Sequence, residues 1–165
     1  MVKKILVPIA FSKYSRGILD YAAEMAAPFG AELLVVNVIN ERDLEAVNKI
    51  ASFGYKVDVE HYLKTMKNEK REELKKMTAE MTLPDDKVSF SFRVGDPTNE
   101  LLKLVIDKDV DMVIMGIKTH DIRHIFVGSV AERMFQKCPV PIVSYRGDEL
   151  SERLRRKIVK HRGKE

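Results

Sequence analysis

Five short apolar segments alternate along the chain with longer segments in which apolar residues recur every three or four positions. The short segments are Lys4–Ile9, Glu32–Ile39, Lys87–Val94, Asp111–Met115 and Val140–Tyr145. Short apolar runs rich in branched residues are typical of strands, whereas the three-to-four spacing indicates amphipathic helices. Five strands alternating with helices predict an α/β fold: a doubly wound parallel sheet, Rossmann-like, with helices on both faces.

The strand segments differ in pattern, and so in predicted position. Lys4–Ile9 (KILVPI) is almost wholly apolar, as expected for a strand buried on both faces, whereas Lys87–Val94 (KVSFSFRV) alternates and is expected nearer a sheet edge. Ser12 and Ser15 offer N-cap oxygens for the first helix. Before the helix that follows the third strand, Gly95-Asp96-Pro97 predicts a turn with Asp96 as the cap and Pro97 in the first helical position.

The segment Val110–Tyr145 is predicted to form a strand, a loop, a helix, a turn and a strand. It contains the residues that could form a binding site. Gly116 ends the strand, a polar loop follows, and Gly128-Ser129 stands where a helix begins. Glycines let the backbone approach an anion, and the first turn of a helix offers unpaired N–H groups. The alternative is that both glycines only make tight turns. In sheets of this class the ligand crevice opens at the carboxyl ends of the strands, where the winding reverses.

Composition is that of a single globular domain, and the charge is uneven. The net charge of +4 resides in the last twenty residues, which hold eight Lys or Arg and four Asp or Glu. The other 145 residues are neutral, so the basic balance does not predict a nucleic-acid-binding core. No apolar run is long enough to span a membrane, and no signal peptide is expected. The single cysteine, Cys138, fits a reducing cytoplasm.

The end of the chain forms a separate unit in this interpretation, with a domain over residues 1–146 and a basic tail over 147–165. In the tail, Leu150, Leu154 and Ile158 are four residues apart and predict an amphipathic helix. This extra C-terminal helix packs either on its own domain or on a second subunit. A membrane or nucleic-acid contact is the weaker alternative, because Glu149 and Glu152 are interspersed.

Patterns for catalysis and metal binding are incomplete. His120 and His124 are four residues apart, a spacing that could share a metal on a helix, but no third ligand is close along the chain. Ser129 lies in VGSVA, which is not a nucleophile elbow, and no general base can be paired with it. The sequence therefore predicts no metal site and no dedicated catalytic apparatus, so any ATP hydrolysis would be slow and incidental.

The chain resembles the universal stress protein family. The resemblance rests on the opening KILVPIAFS, on Gly95-Asp96-Pro97, and above all on VDMVIMG followed by GSVAERMFQKCPVPIVSYR. It covers residues 1–146 and implies the strand order 3-2-1-4-5. It also implies a homodimer formed through the last strand, Val140–Tyr145, and a cytoplasmic stress-response sensor or signalling module that binds an adenine nucleotide such as ATP, ADP or AMP, with or without Mg²⁺.

Many family members bind ATP through the pattern G-x2-G-x9-G-[ST], which the resemblance carries onto Gly116 and Gly128-Ser129. The nucleotide site that it implies comprises Pro8, Ile9, Ala10, Phe11, Val38, Met115, Gly116, Lys118, Thr119, Gly128, Ser129 and Val130. The loop between Gly116 and Gly128 is one residue shorter than the pattern, and Thr119 stands where the middle glycine is expected. Ala10 replaces the Asp of ATP-binding members.

These departures leave two functions open, and a third, an enzyme of the related α/β nucleotide-binding class such as one that transfers an adenylyl group, lacks the catalytic residues to support it. Losing one polar contact costs about 0.5–1.5 kcal/mol, which weakens nucleotide binding without abolishing it. The cations Lys118, His120, Arg123 and His124 could replace lost phosphate contacts, or could simply be solvated. The alternative function is a homodimeric stress protein that binds no nucleotide and acts through protein partners not yet identified.

Overall fold

The computed structural model describes residues 1–53, 58–117 and 129–162. Its strands are β1 (Lys4–Pro8), β2 (Glu32–Asn40), β3 (Val88–Gly95), β4 (Met112–Gly116) and β5 (Ile142–Tyr145). Its helices are α1 (Ser15–Ala26), α2 (Glu41–Ser52), α3 (Val59–Thr78), α4 (Pro97–Asp107), α5 (Ser129–Lys137) and α6 (Asp148–Arg162). Short 3-10 turns occupy Ala27–Phe29 and Asp85–Lys87.

The five strands form one parallel sheet in the order β3-β2-β1-β4-β5. This confirms the predicted α/β architecture and strand order. β1 lies at the centre, paired with β2 through Leu6 and Leu34 and with β4 through Leu6 and Val113. The chain winds from β1 outward in one direction to β3, and then crosses back to β4 and β5. The winding therefore reverses between β1 and β4, which is where such sheets open their ligand crevice.

Each face of the sheet has its own core, as expected for a doubly wound fold. On one face, Ile5 and Val7 of β1 pack with Leu19 of α1 and Leu74 of α3. On the opposite face, strand residues pack against α4 and α5. The buried members of this second core are Leu6, Leu34, Val36, Leu101, Leu104, Val105, Val110, Val113, Met115, Ala131 and Met134. Successive residues of a strand point to opposite faces, so the apolar strands supply both cores at once.

The prediction that the third strand lies at a sheet edge is confirmed, and its alternating pattern explains its packing. Phe90 and Phe92 pack against the core shared with α1 and α3. Ser89, Ser91 and Arg93 occupy the other positions of the alternation, on the face that carries α4. No buried member of the second core comes from β3. That face of the edge strand is therefore polar.

Two local predictions need correction. Ser12 and Ser15 do not cap α1: Tyr14 is the N-cap residue and makes no side-chain cap hydrogen bond. Instead the Ser15 hydroxyl accepts a hydrogen bond from the Ser12 backbone N–H (2.9 Å), which tightens the turn before the helix. The last strand begins at Ile142 and not at Val140, because Pro141 has no N–H to donate to the ladder.

The predicted C-terminal helix is present as α6, and its first turns pack on the domain. Leu150 and Leu154 are half-buried. Ile158, the third residue of the predicted apolar stripe, is 60% exposed. Lys13 and Glu149 form an exposed ion pair at 3.4 Å between the α1 side of the domain and the tail. Among the described helices, none is long and apolar enough to cross a membrane.

Candidate functional site

A cavity of about 490 Å³ opens at the carboxyl ends of the central strands, where the winding reverses. β1, β2 and β4 form its floor, and the amino ends of α4 and α5 form its rim. The lining residues are Pro8, Ile9, Ala10, Val36, Asn37, Val38, Pro97, Leu101, Met115, Gly116, Ser129, Val130 and Ala131. Its size and its largely apolar wall are those of a site for a small organic ligand.

Most of the site residues implied by the resemblance meet at this cavity. They are Pro8, Ile9, Ala10, Val38, Met115, Gly116, Ser129 and Val130. Phe11 is not among the lining residues: it has a left-handed φ of 50° and packs against the core on the α1 and α3 face. The predicted contributions of Lys118, Thr119 and Gly128 lie outside the described residues, as do those of His120, Arg123 and His124.

Ala10 lies on the wall of the cavity and is exposed. It follows β1 directly, and the next residue, Phe11, turns the chain with its positive φ, a conformation that is uncommon for a bulky residue. The position where the resemblance implies a carboxylate thus faces the cavity, but holds only a methyl group.

Gly116 lies at the end of β4 in close contact with α1. A Cβ added to this residue would lie 2.6 Å from Cδ1 of Ile18, so a side chain here would force the end of the Ile18 side chain to move. The glycine therefore allows β4 and α1 to pack closely beside the cavity floor.

Asn37 organises the floor of the cavity and was not among the predicted site residues. Its side chain is 4% exposed, and its Nδ2 donates a hydrogen bond to the Ile9 carbonyl (2.9 Å). Its Oδ1 accepts one from the Lys70 ammonium of α3 (3.0 Å). The only sequence signal was a polar residue inside the apolar run ELLVVNVI. A buried amide in such a run must find partners, and here the partners come from Ile9, the residue that follows β1, and from Lys70 of α3.

Lys70 is partly buried where it makes this contact. Burial lowers the pKa of its ammonium group below the usual 10.5, and the carboxylates of Glu73 and Asp43 partly oppose that shift. Its Nζ lies 4.9 Å from the centre of the Phe11 ring. Lys70 therefore contacts both Asn37 and Phe11, and so connects α3 with the loop that follows β1.

Asp96 and Arg133 hold the two helix ends that rim the cavity. Asp96 caps α4 as predicted, because its carboxylate accepts the Asn99 backbone N–H (3.0 Å). The same carboxylate lies 3.2 Å from Nη1 of Arg133 in α5, and Arg133 Nε donates to the Ser129 carbonyl (3.3 Å). The Asn99 hydrogen bond, with a further contribution from Arg133, lowers the pKa of Asp96.

The described wall of the cavity carries no charged side chain. What it offers a ligand is apolar surface, the hydroxyl of Ser129, and the backbone N–H groups in the first turn of α5. Such N–H groups, with the positive end of the helix dipole, favour an anion. Among the described residues, no group of three or more His, Cys, Asp or Glu side chains could hold a metal ion. The His120 and His124 pair lies outside those residues.

Comparison with known families matches residues 1–146 to the Universal stress protein family. Among characterised sequences, the chain is similar to Universal stress protein MJ0577 of Methanocaldococcus jannaschii. The two are 29% identical over 153 residues, which span 87% of this chain and 94% of the relative. The solved structure of MJ0577 has a TM-score of 0.69 at 26% identity, and the match covers 90% of this chain and 99% of that one.

Two further solved structures share the fold at lower identity. One is a universal stress protein in complex with cAMP, with a TM-score of 0.58 and 16% identity, covering 88% of this chain and 97% of that one. The other is the universal stress protein from Archaeoglobus fulgidus in complex with dAMP, with a TM-score of 0.52 and 18% identity, covering 88% of this chain and all of that one. From the family match over nearly the whole domain and the shared architecture, the chain belongs to the universal stress protein family.

Proposed function

We propose that this protein binds an adenine nucleotide, such as ATP, ADP or AMP, in the cavity between β1 and β4. The observation that carries the proposal is the position of that cavity, at the reversal of the sheet and beside the first turn of α5. Its apolar wall, which includes Val38 and Met115, suits the faces of an adenine ring. The Ser129 hydroxyl and the adjacent N–H groups suit phosphate oxygens.

The relatives support an adenine nucleotide over other ligands of similar size. Two proteins with this fold have been solved with cAMP and with dAMP. Both ligands combine an adenine ring with one phosphate, which is the combination that the apolar wall and the helix end of this cavity would accommodate. With Ala10 in place of a carboxylate, the affinity should be lower than that of a relative that retains the Asp.

Within the family, nucleotide occupancy would make the chain a sensor or signalling module of the stress response. In this proposal, any hydrolysis of bound ATP is slow and incidental to binding. Mg²⁺, if used, would arrive with the nucleotide. We place this activity in the cytoplasm, in agreement with the single unpaired Cys138.

Release of bound ligand tests the proposal most directly. Freshly purified protein is denatured, and the supernatant is examined for adenine absorbance and mass. A thermal titration with Mg-ATP then measures affinity, since a ligand at 100 times its Kd stabilises a protein by about 2.7 kcal/mol. We expect a saturable rise in Tm. No released nucleotide together with no rise at millimolar ATP would refute the proposal.

A matched pair of variants localises the binding. Val130 lines the cavity, so Val130→Trp should fill part of it and remove the thermal shift. Val159 is 69% exposed on α6, so Val159→Trp adds the same side chain away from the cavity and should leave the shift unchanged. Equal shifts in the two variants would place the nucleotide elsewhere.

The subunit arrangement is a second part of the proposal. β5 is an edge strand of the sheet, and Ile142 and Val143 are only half-buried in the single chain. Edge strands with free backbone groups pair readily with another strand. We place a homodimer contact there, and light scattering should give twice the chain mass. Ile142→Lys should reduce that mass to the monomer, whereas Ile106→Lys, at an exposed site on α4, should not.

One observation favours the alternative function through protein partners. Ile158 and Val159 are adjacent and strongly exposed near the end of α6. A dimeric protein that releases no nucleotide and shows no thermal shift would support this alternative, with α6 as the surface to test first.

A further inference from the structure

The tail that follows the family domain begins close to the wall of the nucleotide cavity. A second cavity of about 80 Å³, which we call the tail cavity, lies on the α1 side of that wall. Pro8, Ala10 and Gly116 line both cavities, so these residues stand between them. The tail supplies Gly147 and Leu150 to the lining of the tail cavity. Both residues lie beyond the segment 1–146 that matches the family, so this arrangement is a feature of this chain's own tail.

The start of the tail contacts the loop that follows β1. A Cβ added to Gly147 would lie 3.2 Å from Cδ1 of Tyr14, so the tail backbone and this ring are in close contact. Lys13 and Glu149 form their ion pair beside it, but both side chains are exposed, and exposed pairs contribute little. The tail is therefore held chiefly by apolar contacts with the loop that also carries Ala10, a residue of the nucleotide cavity.

Tyr145, the last residue of β5, fixes the point from which the tail leaves the sheet. Its carbonyl accepts a hydrogen bond from the backbone N–H of Ile117, the residue directly after β4 (3.3 Å). Its ring lies 5.5 Å from the ring of Tyr21 in α1. One residue separates Tyr145 from Gly147. The tail therefore starts at a residue tied to the end of β4 and then packs on the loop after β1.

Burial along α6 distinguishes a docked start from a projecting end. Leu150, Ser151 and Leu154 are half-buried, whereas every residue from Arg155 to Lys160 is exposed. Leu150 also lines the tail cavity, so it is the apolar side chain of α6 nearest the wall that the two cavities share. Any influence of α6 on the nucleotide cavity should therefore come from its first two turns, and the projecting end provides an internal control.

We propose that the start of α6, through Leu150 and Gly147, is a positioning element of the nucleotide site. It holds the loop after β1 against the end of β4 and so raises the affinity for nucleotide; this inference rests on the proposed function. A nucleotide would contact both segments, because Ala10 and Gly116 line its cavity. Fixing them beforehand reduces the ordering cost of binding. Because coupling between sites is reciprocal, bound nucleotide should in turn hold the start of α6 more firmly.

Three full-length variants test the effect on affinity by calorimetry, with AMP and Mg-ATP titrated separately. Leu150→Gln removes the apolar contact without adding a charge that could repel phosphate. We expect it to weaken binding about fivefold, the low end of usual coupling between sites, because Leu150 is only half-buried. Leu150→Met keeps the volume and should restore native affinity. Ile158→Gln, on the projecting end at a site 60% exposed, should also bind like the native chain. Equal affinity in Leu150→Gln and the native chain would overturn the proposal.

Hydrogen exchange without nucleotide tests the positioning itself. The backbone N–H groups of Ser15 and Ile117 donate to the carbonyls of Ser12 and Tyr145, at 2.9 and 3.3 Å, and report on the two segments. Both should exchange faster in Leu150→Gln than in the native chain or Ile158→Gln. Unchanged exchange in a chain that binds nucleotide would overturn this inference alone. If the native chain bound neither AMP nor Mg-ATP, the proposed function and the effect on affinity would both be refuted, whereas exchange would still show whether the tail holds the two segments.

Discussion

The buried amide of Asn37 offers the sharpest test of how the floor of the cavity is held. Asn37→Leu keeps the size of the side chain and removes both hydrogen bonds. The Ile9 carbonyl loses its 2.9 Å donor, and the Lys70 ammonium loses its 3.0 Å acceptor. Both hydrogen bonds are lost at the same place, where β2 contacts the residue after β1 and α3, so a single substitution tests their combined effect on stability.

The size of the effect follows from burial. Leaving a buried carbonyl unpaired costs about 1–3 kcal/mol. The Lys70 bond adds less, because that ammonium is only partly buried and water can replace its partner. We therefore expect Asn37→Leu to lower the free energy of unfolding by about 1–3 kcal/mol and Tm by roughly 2–12 °C, using the dependence found for domains of this length.

Urea denaturation measures this change directly. If the dependence of the free energy of unfolding on urea concentration is unchanged, the substitution has altered stability and not the compactness of the unfolded or native state. Asn48→Leu is the matched control, because Asn48 is exposed on α2 and the same substitution there should change the free energy little. Lys70→Met should lower the free energy of unfolding less than Asn37→Leu does. It removes a hydrogen bond but also removes a charge that is unfavourably buried, as its lowered pKa indicates. If Asn37→Leu and Asn48→Leu unfolded at the same urea concentration, the role assigned to Asn37 would be refuted.

Four further changes test other parts of the structure. Ala10→Asp should raise affinity for adenine nucleotides by about two- to tenfold, measured by calorimetry, because one polar contact contributes about 0.5–1.5 kcal/mol; no gain would show that this position does not reach the ligand. Asp96 has its pKa lowered from 3.8 by the α4 backbone N–H that it accepts, so its contribution to stability is complete above pH 3.8 and is lost as the pH falls through the lowered value. In Asp96→Asn, the free energy of unfolding measured with urea should accordingly fall less as the pH is lowered below 3.8. The same pH dependence in the variant and the native chain would contradict this. Gly17→Ala would place a Cβ 2.5 Å from the Tyr145 hydroxyl and should destabilise the fold by about 1–3 kcal/mol, with partial recovery in a Tyr145→Phe background. Deleting residues 148–165 should leave a folded domain by circular dichroism, and an unfolded product would refute the boundary at residue 146.

Much of the fold could be predicted from the pattern of apolar and polar residues, because that pattern records which faces of each strand and helix are buried. The apolar run of β1 predicted a strand buried on both faces, and Ile5, Leu6 and Val7 are fully buried. The alternation in Lys87–Val94 predicted an edge strand, because an edge strand can leave one face polar. Asp96 and Pro97 marked the start of α4, because capping is a local interaction between residues close in sequence.

Local patterns were less reliable where a distant contact determines the outcome. Ser12 and Ser15 have the side chains of N-caps, yet they tighten the turn that precedes α1, directly after Phe11 with its left-handed φ of 50°. Beyond the end of α1, the apolar Phe29 is 47% exposed within the 3-10 turn Ala27–Phe29. Such departures depend on the path of the chain, which residue types alone do not specify.

By itself, the sequence determined the order and kind of the elements, the edge position of β3, the family to which the chain belongs, and eight residues that meet at one cavity. Only the tertiary structure showed that the Asn37 amide joins the Ile9 carbonyl to Lys70 of α3, and that Gly116 packs closely against Ile18 of α1. The physical reason is the same in each case. Periodicity records which face of an element is buried, whereas hydrogen bonds and close contacts join residues far apart in sequence, and these pairs exist only once the strands have taken their order in the sheet.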